Sequence, residues 1–316
     1  MRTAFFRTLL ALAERDERVH LVVGDLGFGC VEAFAERFPD RFLNVGVAEQ
    51  NMTGVAAGLA LCGKTVFTYS IANFPTIRCL EQIRNDVCYH NASVKIVAVG
   101  GGYAYGSLGM THHATEDLAI MRALPNMAVV APGDPLEAEC ATRAMVSHPG
   151  PCYLRLGRAG EPHVHEGPIE FRIGKALVVR EGSDGTLIST GGMLQTAARA
   201  ADRLAGEGVR LRVLSMHTVK PLDEEAVLQA AVQTGAVFTL EEHSIIGGLG
   251  GAVAEVVAEA GVDRLRFKRL GLPSGFSPHV GSQEYLQRVN GLCEEEVSRV
   301  IRAELRASSA SRYVFA

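Results

Sequence analysis

Two places in the chain carry side chains whose type and setting could do chemistry. The first is Glu49, in NVGVAEQNMTGVAAGLALCG. A short apolar strand ends near Val47. The segment after it is built from glycine and alanine (Gly54, Ala56, Ala57, Gly58, Ala60), a composition that predicts a helix buried on all sides with close backbone approach. Two readings fit an acid in its first turn. It can complement the positive end of the helix dipole. It can also be a carboxyl group held in a dry pocket, where desolvation raises its pKa and lets it share a proton with a ligand. The two effects oppose, and composition does not rank them.

The second place is the pair His112 and His113, in GGGYAYGSLGMTHHATED. A glycine-rich turn follows a strand, then comes Thr-His-His, then the acidic start of a helix. Ligands bind at such strand-to-helix junctions on the carboxyl side of open parallel sheets. The alternative is a solvated histidine pair beside a helix start. No further Cys or His stands nearby at metal-ligand spacing. Other signatures fail. In GGLGG (247–251) the dinucleotide pattern would need a third glycine where Val253 stands, so tight packing at a helix start is the better reading. There is no GxxxxGK[ST] and no GxSxG, which removes a P-loop and weakens a hydrolase.

The elements that must position these residues alternate along the chain. Helical periodicity over 3–15 leads into the strand HLVVGDLG; the helix VEAFAERF, the strand RFLNVGV and the glycine–alanine helix follow. Then come KTVFTYS as a strand, a helix from Pro75 to about His90, SVKIVAVGGG as a strand, the helix EDLAIMRAL, the strand MAVVAPG, the helix PLEAECATRAMV and the strand PCYLRLGR. Apolar, uncharged strands between helices imply a mostly parallel sheet covered on both faces. The polar stretch AGEPHVHEGPIE (159–170) breaks the pattern and reads as a linker before a second α/β run, which closes on a helix near 293–307. The tail SSASRYVFA has no clear element, and its aromatic end is a candidate docking segment.

With 316 residues, two domains are expected, each able to bury a core. The 47% hydrophobic and 21% charged fractions are those of an ordinary globular protein, which argues against a disordered or fibrous chain. A formal charge of −4 argues against a general nucleic-acid binder. The seven cysteines include no CxxC pair, so a disulfide framework or zinc ribbon is not expected and most thiols read as small buried hydrophobes. Charged residues 14–17 follow the first apolar run where a signal peptide would be cleaved, so the start reads as an amphipathic helix, and no apolar stretch is long enough to span a bilayer. A cytoplasmic protein is expected.

FPDRFLNVGVAEQNMTGVAAGLA, THHATEDLAIMRALPNMAVVAPGD and EEHSIIGGLGGAVAE, in this order and spacing, resemble the transketolase family, in particular the C-terminal half of a split transketolase, over essentially the whole chain. The resemblance implies an α/β fold of two consecutive parallel-sheet domains: a pyrimidine-binding domain at 1–158, a linker and lead-in at 159–185, a C-terminal domain at 186–307 and a tail at 308–316. It implies thiamine diphosphate as the electron sink. It also implies a glycolaldehyde transferase, which carries a two-carbon ketol unit from a ketose to an aldose.

Residue by residue, the resemblance assigns Glu49 to the cofactor's aminopyrimidine, where its hydrogen bond favours the imino tautomer. It places an aromatic ring against the pyrimidine within TYSIANFPTIR: Phe74 first, Tyr69 second, either of which could instead be core, with Arg78 in the same cofactor-binding segment. His112 matches the histidine that contacts substrate oxygen, and His113 stands beside it. Arg2 and Arg158 match arginines that bind a substrate phosphate, the alternative being surface salt bridges.

Two departures bear on the substrate. Gly100 or Gly101 stands where many sugar-phosphate members have a histidine, and Leu108 where they have an acid. Both usual groups read sugar hydroxyls or phosphate, so a modified or branched sugar is expected. Neither Gly24-Asp25-Leu26 nor Gly133-Asp134-Pro135 is the family's diphosphate and Mg²⁺ motif. The expected partner is therefore an N-terminal subunit that carries that GDG motif and most of the Mg²⁺ contacts, in an α₂β₂ heterotetramer. The rivals are the beta subunit of a 2-oxoacid dehydrogenase, a 1-deoxyxylulose-5-phosphate synthase type, which is normally one long chain, and a non-catalytic assembly subunit.

Overall fold

In a computed structural model that describes residues 1–307, strands and helices alternate as their patterning requires. The first run is α1 (Arg2–Ala13), β1 (Val19–Val23), α2 (Glu32–Arg37), β2 (Phe42–Asn44), α3 (Glu49–Leu61), β3 (Thr65–Ile71), α4 (Leu80–Gln82), β4 (Val94–Val99), α5 (Asp117–Ala123), β5 (Ala128–Val130), α6 (Pro135–Ser147) and β6 (Cys152–Leu156). The second is β7 (Leu177–Arg180), β8 (Gly185–Ser189), α7 (Leu194–Ala205), β9 (Leu211–Ser215), β10 (Thr218–Lys220), α8 (Glu224–Thr234), β11 (Ala236–Ser244), α9 (Leu249–Glu259), β12 (Arg266–Leu272), α10 (Gln283–Val289) and α11 (Glu294–Arg306).

The strands form a seven-stranded sheet in the order β10-β5-β6-β4-β3-β1-β2 and a five-stranded sheet in the order β12-β11-β8-β9-β7. Each is parallel except at one edge, where β10 pairs antiparallel to β5 and β7 antiparallel to β9. Those two edge strands were not visible in the sequence. Both are short and lack a long apolar run, and β10 is contributed to the first sheet by the second half of the chain.

Burial follows the period-two alternation of the strands. On β3, Phe67 and Tyr69 face the core under α1, where Phe5 and Phe6 meet them, while Val66 belongs to the core on the α3 side. Three differences from the sequence reading appear. The helix expected from Pro75 to His90 is a 3-10 turn at Ile77–Cys79, the single turn α4 and a stretch of wider π turns at Ile83–Cys88. All seven cysteines are free, but only Cys79, Cys88 and Cys152 are buried. Helix α3 buries one side only, with Gln50, Asn51, Gly54, Gly58 and Leu61 exposed, because nothing else among the described residues covers that side. The tail, 308–316, lies outside the described residues.

One buried ionic node ties the two halves together. Arg155 on β6 donates from Nε to Asp117 Oδ2 at 2.8 Å and from Nη2 to the carbonyls of Ala114, at 2.7 Å, and Glu242, at 3.0 Å. Asp117 also accepts the Tyr153 hydroxyl at 2.5 Å. Both charges are out of water, so removing only one leaves the other uncompensated. Arg155→Met should therefore lower unfolding free energy by about 3–5 kcal/mol in urea titrations. A loss below about 1 kcal/mol would show that Asp117 does not depend on this cation.

Candidate active site

Glu49 is the first residue of α3, directly after β2 and the turn that follows it. Its side chain is 1% exposed. Strand β3 brings Ser70 onto this side of the sheet, and the Ser70 hydroxyl donates to Glu49 Oε1 at 3.3 Å. Arg78 Nη1 donates to Oε2 at 2.7 Å. The end of β1 passes close by: a Cβ at Gly24 would lie 3.3 Å from Glu49 Cγ, so a side chain there would press on the carboxylate stem. The carboxylate thus sits at the carboxyl edge of the first sheet with two side-chain partners and the amino end of α3. Neither reading of this acid from the sequence included Arg78 as its counterion.

Arg78 reaches Glu49 from the segment after β3, and that segment also presents Phe74. The Arg78 guanidinium carbon lies 4.6 Å from the Phe74 ring centroid, in cation–π contact. Tyr69, the second choice for the stacking ring, belongs to the core instead. Strand alternation turns it to the α1 side, 4.8 Å from the Phe6 ring, while Ser70 points to Glu49. Asn73 fixes the next loop, its amide donating to the carbonyls of His113 at 2.7 Å and Thr111 at 3.3 Å. Sequence reasoning missed Asn73, whose only signal was its place between the strand end and Phe74.

That loop carries the histidines. His112 lies edge-on to Phe74, ring centroids 5.2 Å apart, and its Nδ1 is 3.0 Å from the Thr111 hydroxyl. Burial first, and the neighbouring His113 second, hold its pKa below the ordinary 6.5. His113 is buried, with Nε2 3.1 Å from the Gly106 carbonyl and its ring edge against Tyr103. It shapes the loop and lines the cleft described next. Phe74, Ile77, Arg78, Tyr103, Met110 and Phe276 are among the walls of that cleft, which has a volume of about 350 Å³. Its lining is mainly apolar, with Asn73 and Thr111 among the polar groups, the usual make-up of a small-molecule site.

The remaining candidates stand on the other side of His112. Tyr105 lies edge-on to it with centroids 6.4 Å apart, and the Arg158 guanidinium is 5.4 Å from the Tyr105 ring. Arg158 is exposed and Arg2 half-buried. Arg2 lies beside the Tyr69 phenol, whose pKa burial raises and the Arg2 charge lowers in part. Its Nε is buried without a hydrogen-bond partner among the described residues. Glu49, Arg78, Phe74, His112, Tyr105 and Arg158 therefore form an unbroken row of contacts. Tyr105 was missed because a tyrosine among glycines in a turn carries no periodic signal.

The glycine–glycine turn 247–251 has a structural role. Glu241 accepts the backbone N–H groups of Leu249 and Gly250 at 2.7 and 2.8 Å, pinning the start of α9. Burial raises the Glu241 pKa to about 7 against those hydrogen bonds.

Residues 1–160 match the family described as transketolase, pyrimidine binding domain, and residues 174–297 that described as transketolase, C-terminal domain. The chain is 41% identical to a 6-deoxy-6-sulfo-D-fructose transketolase subunit of Clostridium sp. (strain MSTE9), over 95% of this chain and 92% of that one. It is 40% identical to one chain of an apulose-4-phosphate transketolase of Phocaeicola vulgatus, over 90% of each. A solved split-gene transketolase, described as an inactive beta4 tetramer, superimposes with a TM-score of 0.87 at 39% identity, covering 96% of this chain and 97% of that one.

The environment of His112 makes a direct prediction. With its pKa held below 6.5, the ring is neutral at pH 7 and protonates only as the pH falls through that lower value. An NMR titration of the ring should give a midpoint below 6.5, and a midpoint above it would contradict the half-buried setting.

Proposed function

The chain belongs to the transketolase family, and from that premise we propose that it is the C-terminal subunit of a two-chain, thiamine diphosphate-dependent transketolase. The reaction moves a two-carbon ketol unit from a ketose to an aldose, and the sugar carries an anionic or otherwise modified end. The reading rests above all on the contact row from Glu49 to His112: a buried carboxylate, a cation, an aromatic ring and a neutral imidazole at one strand-end cleft.

The residues present suit the pyrimidine half of such a cofactor. Glu49 is a hydrogen-bonding carboxylate with almost no water access, and Phe74 lines the adjoining cleft with a ring. When bound, thiamine diphosphate supplies the electron sink for an acyl-carbanion equivalent, a role no side chain can fill. The chain's part is to hold and to exchange protons. Glu49 would hold the aminopyrimidine through its carboxyl group, oriented beforehand by Ser70 and the rigid start of α3. Arg78, with its side chain 45% exposed, has room to give up its contact with Glu49. A Thr111 hydroxyl that donates to His112 Nδ1 leaves the imidazole proton on Nε2, from which it can be donated to a substrate oxygen.

The reading includes a partner. The N-terminal subunit would carry the GDG motif and the Mg²⁺ contacts, joined to this chain in an α₂β₂ heterotetramer. Support comes from the uncovered side of α3 and the exposed Val47 just before it, and from likeness to a split-gene protein whose tetramer of one subunit is described as inactive. The names of two relatives, which act on a sulfonated and a phosphorylated sugar, support a substrate with an anionic end. No helix among the described residues is long and apolar enough to cross a membrane; the proposed compartment is the cytoplasm.

Two outcomes test the reading. The chain alone should show no turnover; co-expressed with a GDG-bearing partner and supplied with thiamine diphosphate and Mg²⁺, it should use hydroxypyruvate as donor and not pyruvate. Preference for pyruvate would point to a different reaction. Glu49→Ala should still assemble with the partner while turnover falls about 10²–10⁴-fold, the usual worth of a positioned proton-transfer group. Full turnover by the assembled variant would leave this chain an assembly subunit.

A further inference from the structure

The loop after β4 holds a tyrosine in a place that only glycine permits. Gly100 sits at φ +95, and a Cβ built on it would lie 2.3 and 2.4 Å from Cδ2 and Cε2 of the Tyr105 ring. No side chain can stand at 100 while Tyr105 stays where it is. The ring is thereby fixed between His112 on one side, at 6.4 Å, and the Arg158 guanidinium on the other, at 5.4 Å. Arg2 lies beside the Tyr69 phenol, which Tyr105 also neighbours, so Arg2 belongs to the same neighbourhood. The Tyr105 hydroxyl has no hydrogen-bond partner among the described residues and is not among their buried, unsatisfied groups. The buried Nε of Arg2 also lacks a hydrogen-bond partner among the described residues.

We propose that Tyr105 is a specificity-determining residue that reads the terminal oxyanion of the sugar together with Arg2 and Arg158. This rests on the transketolase reading and adds to it the residue that joins the carbonyl end of the site, at His112, to its cationic end. The chemistry required is a tetrahedral oxyanion, a phosphate ester or a sulfonate. Such a group accepts forked contacts from guanidinium groups and has further oxygens free for a neutral donor. A phenol can serve as that donor through its O–H, which a phenylalanine in the same place would lack. The Gly100–Tyr105 pair also fixes the shape of the site, since any larger residue at 100 would drive the ring out.

The test uses the assembled two-subunit enzyme and three donors: fructose 6-phosphate, 6-deoxy-6-sulfofructose and the uncharged L-erythrulose. Tyr105→Phe keeps the ring on Gly100 and its contact with Arg158 but removes the hydroxyl. It should raise KM for at least one anionic donor, relative to that for L-erythrulose, by about tenfold, the worth of one hydrogen bond to a charged group. The anionic donor whose ratio moves identifies the terminal group. Gly100→Ala, which evicts the ring, should move the same ratio. Ratios within about twofold of wild type for both anionic donors overturn the proposal, because a purely structural tyrosine would affect charged and uncharged donors alike. A wild-type complex that turns over none of the three would overturn the transketolase reading instead. In that event inorganic sulfate decides the matter for Tyr105: a thermal upshift of wild type that is smaller in Tyr105→Phe supports the anion site, and equal shifts overturn it.

Discussion

A carboxylate taken out of water at the carboxyl edge of a parallel sheet constrains most of what surrounds it. Burying an ionised acid without compensation costs several kcal/mol, so Glu49 needs partners. The chain provides three: the Ser70 hydroxyl, the Arg78 guanidinium and the amino end of α3. Each draws on a different part of the fold. Ser70 requires the register of β3, Arg78 requires the irregular 3-10 and π turns after it, and the helix end requires the turn after β2. The π stretch at Ile83–Cys88 follows directly on the residues that carry the site, a placement common near functional groups. Of the two side-chain partners, Ser70 is buried and Arg78 is 45% exposed, so the acid has one fixed partner and one at the solvent edge.

A second buried ion pair keeps the opposite wall in position. Arg155 holds the Ala114 carbonyl, just after His113, and the Glu242 carbonyl on β11. Glu242 is itself buried and accepts from Gln283 and Gln287 on α10, with its pKa pushed up to about 7 by burial. A Cβ at Gly102 would lie 2.4 Å from its carboxylate oxygen, so the loop carrying Tyr105 packs directly on the second half of the chain. The C-terminal half thereby acts on the histidine loop mechanically: it supplies the surface and the acceptors against which the loop is set. Asn73 performs the same task from the other side, through the carbonyls of Thr111 and His113.

Much of this was legible in the residues. Strand–helix alternation announced both sheets, and the acid at the start of a glycine–alanine helix marked Glu49. Thr-His-His between a glycine turn and a helix start marked His112. What stayed hidden depends on contacts distant in sequence. The edge strands β7 and β10 are too short to show a pattern and form only because a neighbouring strand offers an open edge. Phe74 and Tyr69 were first and second choice for the stacking ring, and either could have been core. The one-residue alternation of β3 separates them, sending Tyr69 under α1, and register is the property a local reading fixes least well. The pairing of Arg78 with Glu49 and the seating of Tyr105 on Gly100 involve side-chain directions in irregular segments, where no period exists to be read.

Helix α3 brings these threads together. Its inner face, with Met52, Thr53, Ala56 and Ala57, packs against the sheet and leaves Glu49 at the edge. Its outer face exposes Gly54 and Gly58, around which a Cβ would meet nothing within 4 Å, and Leu61 beyond them. Glycine in the middle of a helix costs roughly 0.5–1 kcal/mol relative to alanine, a penalty without benefit if that face stayed in water. Val47, two residues before the start of the helix, is 77% exposed, and a large exposed apolar side chain beside a helix of small residues suits an interface. The same helix that places the acid thus presents an outer face with small residues at Gly54 and Gly58, flanked by Gln50, Asn51 and Leu61. Under the proposed two-chain reading, this chain would form one wall of the site, and the small residues of α3 would let a second wall come close.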